Sequence, residues 1–264
     1  MKYYTLITSN FAILLLSMWL LLTIFCFQGY AFVEKKAIIY VYHATQILYS
    51  VGGIGKYESL NPKYLKAIQN EKKDYPSIPN TKKDKIKKAI ELINKAIKIS
   101  QSFEEAHFFM GVSYMLKMDA VNAISAFEKA LELNIGKESA YTYLFILYVY
   151  DNRFIEGHQL VKKYIDKYPN AHEKGVIFDA EIYLSEGKYK ESLKIGKKLV
   201  KKNSSDIAAL YLIAKSYLMM HKDKNADKYF NKIVSLSPSE KKYVLKIKKN
   251  FLLKRDKKNG VGPR

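Results

Sequence analysis

The 264-residue sequence is poor in the residues that build disulfides, metal sites and redox centres. Its single cysteine, Cys26, excludes an intrachain disulfide. The five histidines are scattered, and none forms HExxH or pairs with cysteines, so the usual zinc spacings are absent. No nucleophile–base motif, paired acidic motif or cofactor loop stands out. The sequence therefore predicts no catalytic residue, no metal and no cofactor, and it favours a protein that is not an enzyme.

A glycine-rich run at 52–56, Gly-Gly-Ile-Gly-Lys, resembles a phosphate-binding loop but lacks its spacing. A P-loop has a glycine five residues before its Gly-Lys pair and a Ser or Thr directly after it. Here Ser50 occupies the first glycine position and Tyr57 follows the lysine. The run is therefore interpreted as a flexible linker.

Acidic residues are scarce at both flanks of the chain. Residues 34–103 carry fourteen lysines against six acids, and residues 241–264 carry ten basic groups against one acid. Residues 104–240 are nearly neutral, with twenty basic and eighteen acidic groups. The simpler interpretation is that these lysines lie on solvated faces. The functional alternative is attraction of the basic flanks to a polyanion, either anionic lipid or nucleic acid.

Charge is also missing from residues 11–33, which form an apolar run of 23 residues. A helix of that length crosses a bilayer core, so the run predicts a single-pass transmembrane anchor within residues 1–33. A cleaved signal segment remains an alternative, with Gly29-Tyr30-Ala31 as the small-residue site. The basic residues at its two ends are too evenly divided to fix topology. A short cytoplasmic tail would place the following domain outside the cytoplasm, in a periplasmic location, and this topology is the one favoured.

Residues 37–51 are apolar again but are interrupted by His43, Thr45 and Gln46. We expect residues 34–60 to be an interfacial helix and a linker, because the run is short for a membrane span. Three alternatives stay open: the helix packs on the first helix pair, it occupies a binding groove, or it forms a second span.

A 34-residue pattern begins at Glu104 and recurs along the chain. In its first copy Gly111 is at position 8, Tyr114 at position 11 and Ala123 at position 20. The pattern continues over 138–171, 173–206 and 207–240, with one inserted residue, His172. Position 11 is tyrosine in all four copies, which are Tyr114, Tyr148, Tyr183 and Tyr217.

This pattern resembles the tetratricopeptide repeat (TPR), a helix–turn–helix unit of 34 residues. The resemblance implies an all-α fold, a right-handed superhelical solenoid of TPR helix hairpins that follows one N-terminal transmembrane helix. Four units are expected, at 104–137, 138–171, 173–206 and 207–240.

The regions that flank the four units also carry helix signals. Residues 61–103 are expected to form a degenerate first helix pair, with helices at 62–73 and 82–99 and with Asn61 as the cap. A capping box at Ser237–Glu240 is predicted to start a terminal helix at 241–254. The basic tail at 255–264 is expected to be disordered.

Small residues at positions 8 and 20 are expected to let the two helices of a unit approach closely. Gly111 would face Ala123, and Phe145 would face Gly157. Two departures stand out. Gly196 replaces the aromatic residue of position 24, and Asp179 occupies the apolar position 7. We attribute Asp179 to a rotated third helix pair after the His172 insertion, with a ligand-binding role as the alternative.

By the same resemblance, the first helices of the units line a concave groove. Its positions 5 and 9 in the first unit are apolar, which excludes the Lys/Asn/Arg clamp that some family members use to bind chaperone carboxyl termini. The expected function is a membrane-anchored interaction scaffold that binds a protein or peptide with hydrophobic anchors, in assembly of an envelope complex. Nucleic acid is not an expected partner. The predicted groove residues are Phe108, Val112, Met115, Thr142, Ile146, Lys174, Ile177, Glu181, Tyr211 and Lys215.

Overall fold

The computed structural model describes residues 35–52, 60–69 and 77–258, and every regular element in these ranges is a helix. The chain divides into two compact units, residues 1–140 and 141–264. Within the described ranges, no helix combines the length and the apolar character that crossing a membrane requires. The predicted anchor at 11–33 lies outside the described residues.

Of the helices in the described ranges, five belong to the first unit and seven lie wholly or mostly in the second. Those of the first unit are α1 (35–50), α2 (Pro62–Ala67), α3 (Lys82–Ile99), α4 (Glu104–Leu116) and α5 (Ala120–Glu132). The division falls inside α6 (Glu138–Tyr150), most of which lies in the second unit. The others are α7 (Phe154–Lys167), α8 (His172–Glu186), α9 (Tyr189–Lys202), α10 (Ile207–Met219), α11 (Asp223–Leu236) and α12 (Lys241–Lys258). Short 3₁₀ turns at Pro169–Ala171 and Pro238–Glu240 precede α8 and α12.

Side-chain caps start several of these helices where short polar residues precede them. The Asn61 side chain accepts a hydrogen bond from the Lys63 backbone N–H, which confirms Asn61 as the cap of α2. Thr81 caps α3 through the N–H of Asp84. α3 covers the predicted range 82–99, but α2 ends at Ala67 and not at 73. The first helix of this pair is therefore only six residues long.

Helix α1 is part of the core of the first unit. Its inward side chains Ala37, Val41, Ala44 and Leu48 are each 0% exposed. The ammonium group of Lys95 on α3 lies 6.0 Å from the centre of the Tyr40 ring. Of the alternatives for residues 37–51, packing on the first helix pair agrees with this structure. The helix packs there because its apolar and small side chains are buried.

In each of the four repeats, the chain reverses between the two helices at a residue with a left-handed backbone conformation, always at the same repeat position. Position 15 of the frame has a positive φ in all four units: Met118 at 63°, Asn152 at 58°, Gly187 at 87° and His221 at 57°. A left-handed residue closes a helix end and turns the chain back. The single glycine among them takes this conformation without steric cost, whereas Met118 and His221 are held in a strained one.

The glycines at positions 8 and 20 of the 34-residue pattern allow close helix contacts, and the side chains nearest to them differ from those predicted. A Cβ atom on Gly111 would lie 2.8 Å from the ring of Phe127, so Gly111 makes room for an aromatic ring. A Cβ atom on Gly157 would lie 3.1 Å from Ile182 of the next repeat, so the predicted pairing of Gly157 with Phe145 is wrong. The glycines accommodate large side chains of neighbouring helices, as close packing requires.

The C-terminal helix α12 closes the core of the second unit. Val244 and Ile247 are buried in a cluster with Phe230 and Ile233. The helix continues to Lys258, past the predicted end at 254, and residues 259–264 lie outside the described range. The predicted capping box is wrong, because Ser237 makes no side-chain cap. A buried tyrosine hydroxyl donates a hydrogen bond to Glu240 instead, and this withdraws the carboxylate from the helix end.

Candidate partner-binding surfaces

The ten predicted groove residues divide between the two units and differ widely in exposure. Phe108 and Val112 on α4 are 0% and 4% exposed, and Tyr211 on α10 is 8% exposed. Met115, Thr142, Ile177, Glu181 and Lys215 are partly buried, and Ile146 and Lys174 are exposed. The first group belongs to the helix core and offers little surface to a partner.

The burial of Phe108 has a packing cause. Helix α4 contacts both α3 and α5, so more than one face of it is covered. The Phe108 ring makes edge-to-face contacts with Phe109 at 5.1 Å and Phe127 at 5.6 Å. Such pairs favour burial beyond their apolar area. Position 5 of the first unit is therefore a core position in this chain.

On the second unit, two predicted groove residues meet directly. The Lys215 ammonium on α10 lies 2.7 Å from Oε1 of Glu181 on α8, and the two side chains are 17% and 29% exposed. Ile177 and Lys174 precede Glu181 on α8 by four and seven residues, so all three lie along one helix face. Two partly buried charges beside apolar side chains can orient a bound chain by hydrogen bonds.

Helices α6 and α8 are joined beside this face by aromatic stacking. The rings of Phe145 and Phe178 lie 4.5 Å apart and nearly parallel. Ile146, the next residue on α6, is 48% exposed. The accessible surface of α6 and α8 therefore carries an exposed isoleucine next to a rigid aromatic pair, which suits the anchoring of an apolar side chain.

Tyr211 has a structural role that its predicted position did not reveal. Its hydroxyl donates a hydrogen bond of 2.9 Å to Oε2 of Glu240. Its ring contacts Tyr243 at 5.6 Å and Phe230 at 6.4 Å, both edge to face. Burial and the nearby carboxylate raise the pKa of the Tyr211 hydroxyl. Tyr211 fastens the start of α12 to α10.

Glu105 is a buried carboxyl group in the first unit. It is 1% exposed, and it accepts a hydrogen bond from the backbone N–H of Asn61 at 3.3 Å. Burial raises the pKa of this carboxyl to about 7, although the Lys137 ammonium 3.5 Å away acts in the opposite direction. Glu104 beside it accepts a 2.7 Å hydrogen bond from the Tyr64 hydroxyl. The two glutamates together tie α2 to the start of α4.

A cleft lies between α3 and α4 in the first unit. Its volume is about 720 Å³. Its walls carry both apolar side chains and lysines: Lys82, Lys83, Ile86, Lys87, Ile90, Tyr114, Leu116, Lys117 and Met118. The sequence analysis missed this cleft, because it lies outside the predicted groove positions. The apolar stripe of α3 beside consecutive lysines was the available signal.

The described ranges contain no group of three or more His, Cys, Asp or Glu side chains placed to hold a metal ion. Ion pairs in these ranges occur within helices, as in Lys88–Glu91, and between helices, as in Lys215–Glu181.

Residues 207–240, which contain α10 and α11, match the family model described as Tetratricopeptide repeat. These 34 residues are thus similar in sequence to a tetratricopeptide repeat. The preceding helix pairs recur in the same frame, with a left-handed residue at position 15 of each. The described part of the chain is thus an all-helical, TPR-like fold.

Other proteins share parts of this chain's sequence or its fold. The signal recognition particle receptor FtsY of Aquifex aeolicus (strain VF5) is 32% identical over 127 residues, which cover 45% of this chain and 24% of that protein. The chain thus spans about a quarter of that relative's length.

Among solved structures, that of MamA has a TM-score of 0.49 at 20% identity, over 61% of this chain and 87% of that one. YrrB, titled a TPR protein with an unusual peptide-binding site, has a TM-score of 0.48 at 16% identity, over 78% of this chain and 99% of that one.

Proposed function

We propose that this protein is an interaction scaffold that holds a peptide or protein partner on the first-helix faces of its repeats. The observation that carries the proposal is the similarity of residues 207–240 to a tetratricopeptide repeat, together with the helix pairs that share its frame. Stacked helical repeats present extended surfaces suited to protein partners. A scaffold role also agrees with the lack of a catalytic motif in the sequence.

Within the second unit, the binding surface is assigned to the accessible residues of α6 and α8. Ile146 and Ile177 supply apolar contact, and Lys174 with the Glu181–Lys215 ion pair supplies polar contacts. This composition suits a partner that offers hydrophobic anchors with a few charges. Phe108, Val112 and Tyr211 support their helices from within and are not part of this surface.

The test replaces two apolar side chains on this surface and one exposed apolar side chain outside it. Ile146→Asp combined with Ile177→Asp should reduce recovery of crosslinked partners at least tenfold, because the charges prevent apolar anchoring. The control is Ile155→Asp on α7, since Ile155 is 72% exposed and lies outside the proposed surface. Partner recovery that falls equally in both variants, or in neither, would reject this surface.

Membrane attachment is a further part of the proposal. It is supported by the uncharged run at 11–33, which is long enough to span a bilayer. In this proposal the repeats lie outside the cytoplasm and serve assembly of an envelope complex. A reporter active only outside the cytoplasm, fused after Arg264, should be active. Signal from a cytoplasmic reporter at the same place would reverse the topology.

A second candidate function is binding of anionic lipid through the basic C-terminal helix. Val244 and Ile247 bury one face of α12, while Lys241, Lys242 and Lys249 are exposed. Binding to vesicles of anionic lipid should then weaken steeply with salt and be lost when residues 241–264 are removed. Equal binding to neutral vesicles would exclude it. Binding to nucleic acid with the same salt dependence would assign the helix to a different polyanion.

A further inference from the structure

The first unit contains both the cleft between α3 and α4 and an unusually short helix, α2. Helix α2 has six residues and is followed by an α3 of eighteen. In the next helix pair, α4 and α5 have thirteen residues each. Contacts of α2 with α4 are at the start of α4, where the Tyr64 hydroxyl meets Glu104. The end of α4 and the start of α3 border the cleft instead.

The floor of the cleft is apolar and the rim is basic. Ile86 and Ile90 on α3 face Tyr114 and Leu116 on α4, and Met118 at the turn is 92% exposed. The rim carries four lysines, whose aliphatic stems extend the apolar surface while their ammonium groups reach solvent. They are Lys82, Lys83, Lys87 and Lys117. The volume of about 720 Å³ is in the range of sites that hold a ligand.

The lysines of α3 that line the cleft, like Lys85 and Lys98 outside it, have no acidic partner among the described residues, in contrast to Lys88 and Lys95. Lys88 and Lys95 both form ion pairs with Glu91. Lys82, Lys83 and Lys87 form no ion pair within the described residues. Two of them lie in the first turn of α3, where the helix dipole disfavours positive charge. Carboxylates of a bound ligand would offset this locally unfavourable charge.

We propose that the cleft receives an acidic amphipathic helix from a partner protein. A helix satisfies its own backbone hydrogen bonds, and the cleft walls are helices whose backbone groups are already paired, so an extended peptide would find no backbone partners there. The apolar stripe of the incoming helix covers Ile90 and Tyr114, and its flanking carboxylates meet Lys83, Lys87 and Lys117. This site is separate from the surface on α6 and α8, and it rests on the proposed function only in that its ligand is a protein segment.

The test uses a displayed library of amphipathic helical peptides of about 18 residues, long enough to hold helical structure, in which the residues beside the apolar stripe are Glu, Lys or Gln. The library is selected against the 264-residue chain. Selected peptides should be rich in Glu at those positions. Their fluorescein-labelled forms should bind with an affinity that falls as salt is raised, because part of the attraction is between exposed charges.

Two sets of variants locate the binding. Ile90→Glu should abolish binding, and Lys83→Glu with Lys87→Glu should weaken it at least tenfold. Peptides whose Glu residues are changed to Lys should regain binding to the double variant, which loss of folding would not produce. The control is Lys98→Glu, an exposed lysine of the same helix outside the cleft, and it should leave affinity unchanged.

Three results overturn the proposal. They are a selection that gives neutral or basic peptides, a selection that gives no binder sensitive to Ile90→Glu, and binding of dodecanoate in the cleft without binding of any peptide. The last result would assign the cleft to a lipid-like anion. Failure here leaves the Ile146 and Ile177 experiment unaffected, since those residues lie in the other unit.

Discussion

Nδ1 of His158 lies 2.6 Å from Oδ1 of Asp179, which joins α7 of one repeat to α8 of the next. Nε2 of the same ring lies 3.4 Å from Oε2 of Glu186, and the ring lies 4.7 Å from that of Tyr183. Asp179 occupies a frame position that is normally apolar. A polar contact between repeats has replaced an apolar one there, so Asp179 has a structural partner and needs no ligand to explain it.

The His158–Asp179 pair should contribute measurably to stability. Both side chains are about a quarter to a third exposed, so we expect a coupling free energy of about 1 kcal/mol, typical of a hydrogen bond to a charged group near the surface. The experiment is a double-mutant cycle in urea with His158→Ala, Asp179→Ala and the two combined. Additive effects of the two substitutions would show that the short distance carries no net stabilisation.

This pair shows what a repeat frame can and cannot predict. The frame follows single residues that recur, such as Tyr114 and Tyr217, so it predicts helices and their order. The contact of His158 with Asp179 depends on two side chains that are exceptions in two different copies. The burial of Phe108 likewise depends on neighbouring helices that cover α4 from both sides, and no single-residue periodicity records such coverage.

Gly196 should be intolerant of even one added carbon. A Cβ atom there would lie 2.9 Å from Ile213 and 3.3 Å from the backbone oxygen of Ala209, and the backbone atom cannot move aside cheaply. We expect Gly196→Ala to lower the free energy of unfolding by about 1–3 kcal/mol, although alanine favours helix formation. Gly136→Ala is the matched control, because nothing lies within 4 Å of the added carbon. Equal midpoints of urea unfolding for the two variants would contradict the close approach of α9 and α10.

Substitutions at position 15 of two repeats should change the free energy of unfolding in opposite directions. Met118→Gly should raise the free energy of unfolding by about 1 kcal/mol, because a 92% exposed side chain contributes little packing and glycine removes the strain of φ 63°. Gly187→Ala should lower it by a similar amount, since φ is 87° there. Thermal unfolding followed by circular dichroism measures both. Shifts of the same sign in the two variants would refute the shared turn conformation.

Glu105 should make the stability of the first unit depend on pH. Its pKa is raised from 4.5 to about 7 in the folded chain. Between these values the folded protein binds more protons than the unfolded one, so the free energy of unfolding falls as pH rises. The loss should be on the order of a few kcal/mol and should level off above pH 7, where the carboxyl is ionised in both states.

The pH dependence is tested by urea unfolding between pH 4.5 and 8. Glu105→Gln should flatten the curve over this interval, because the amide does not titrate. Glu132→Gln should keep the original slope, since that carboxyl is exposed and its partner Lys129 lowers its pKa. A slope that persists in Glu105→Gln would assign the titration to another group.

Substitutions at Tyr211 and Ile146 should distinguish a residue that stabilises the fold from one that contacts a partner. Tyr211→Phe removes the hydroxyl that donates to the partly buried Glu240 carboxylate, so the free energy of unfolding should fall by about 1 kcal/mol. Partner recovery should stay at the wild-type level, because the remaining ring is 8% exposed and still packs against Phe230. Ile146→Asp should do the reverse, since its side chain is half exposed and contributes little to the core. If Tyr211→Phe reduced recovery at unchanged stability, its hydroxyl would belong to the binding surface, and the assignment of that residue to the core would be wrong.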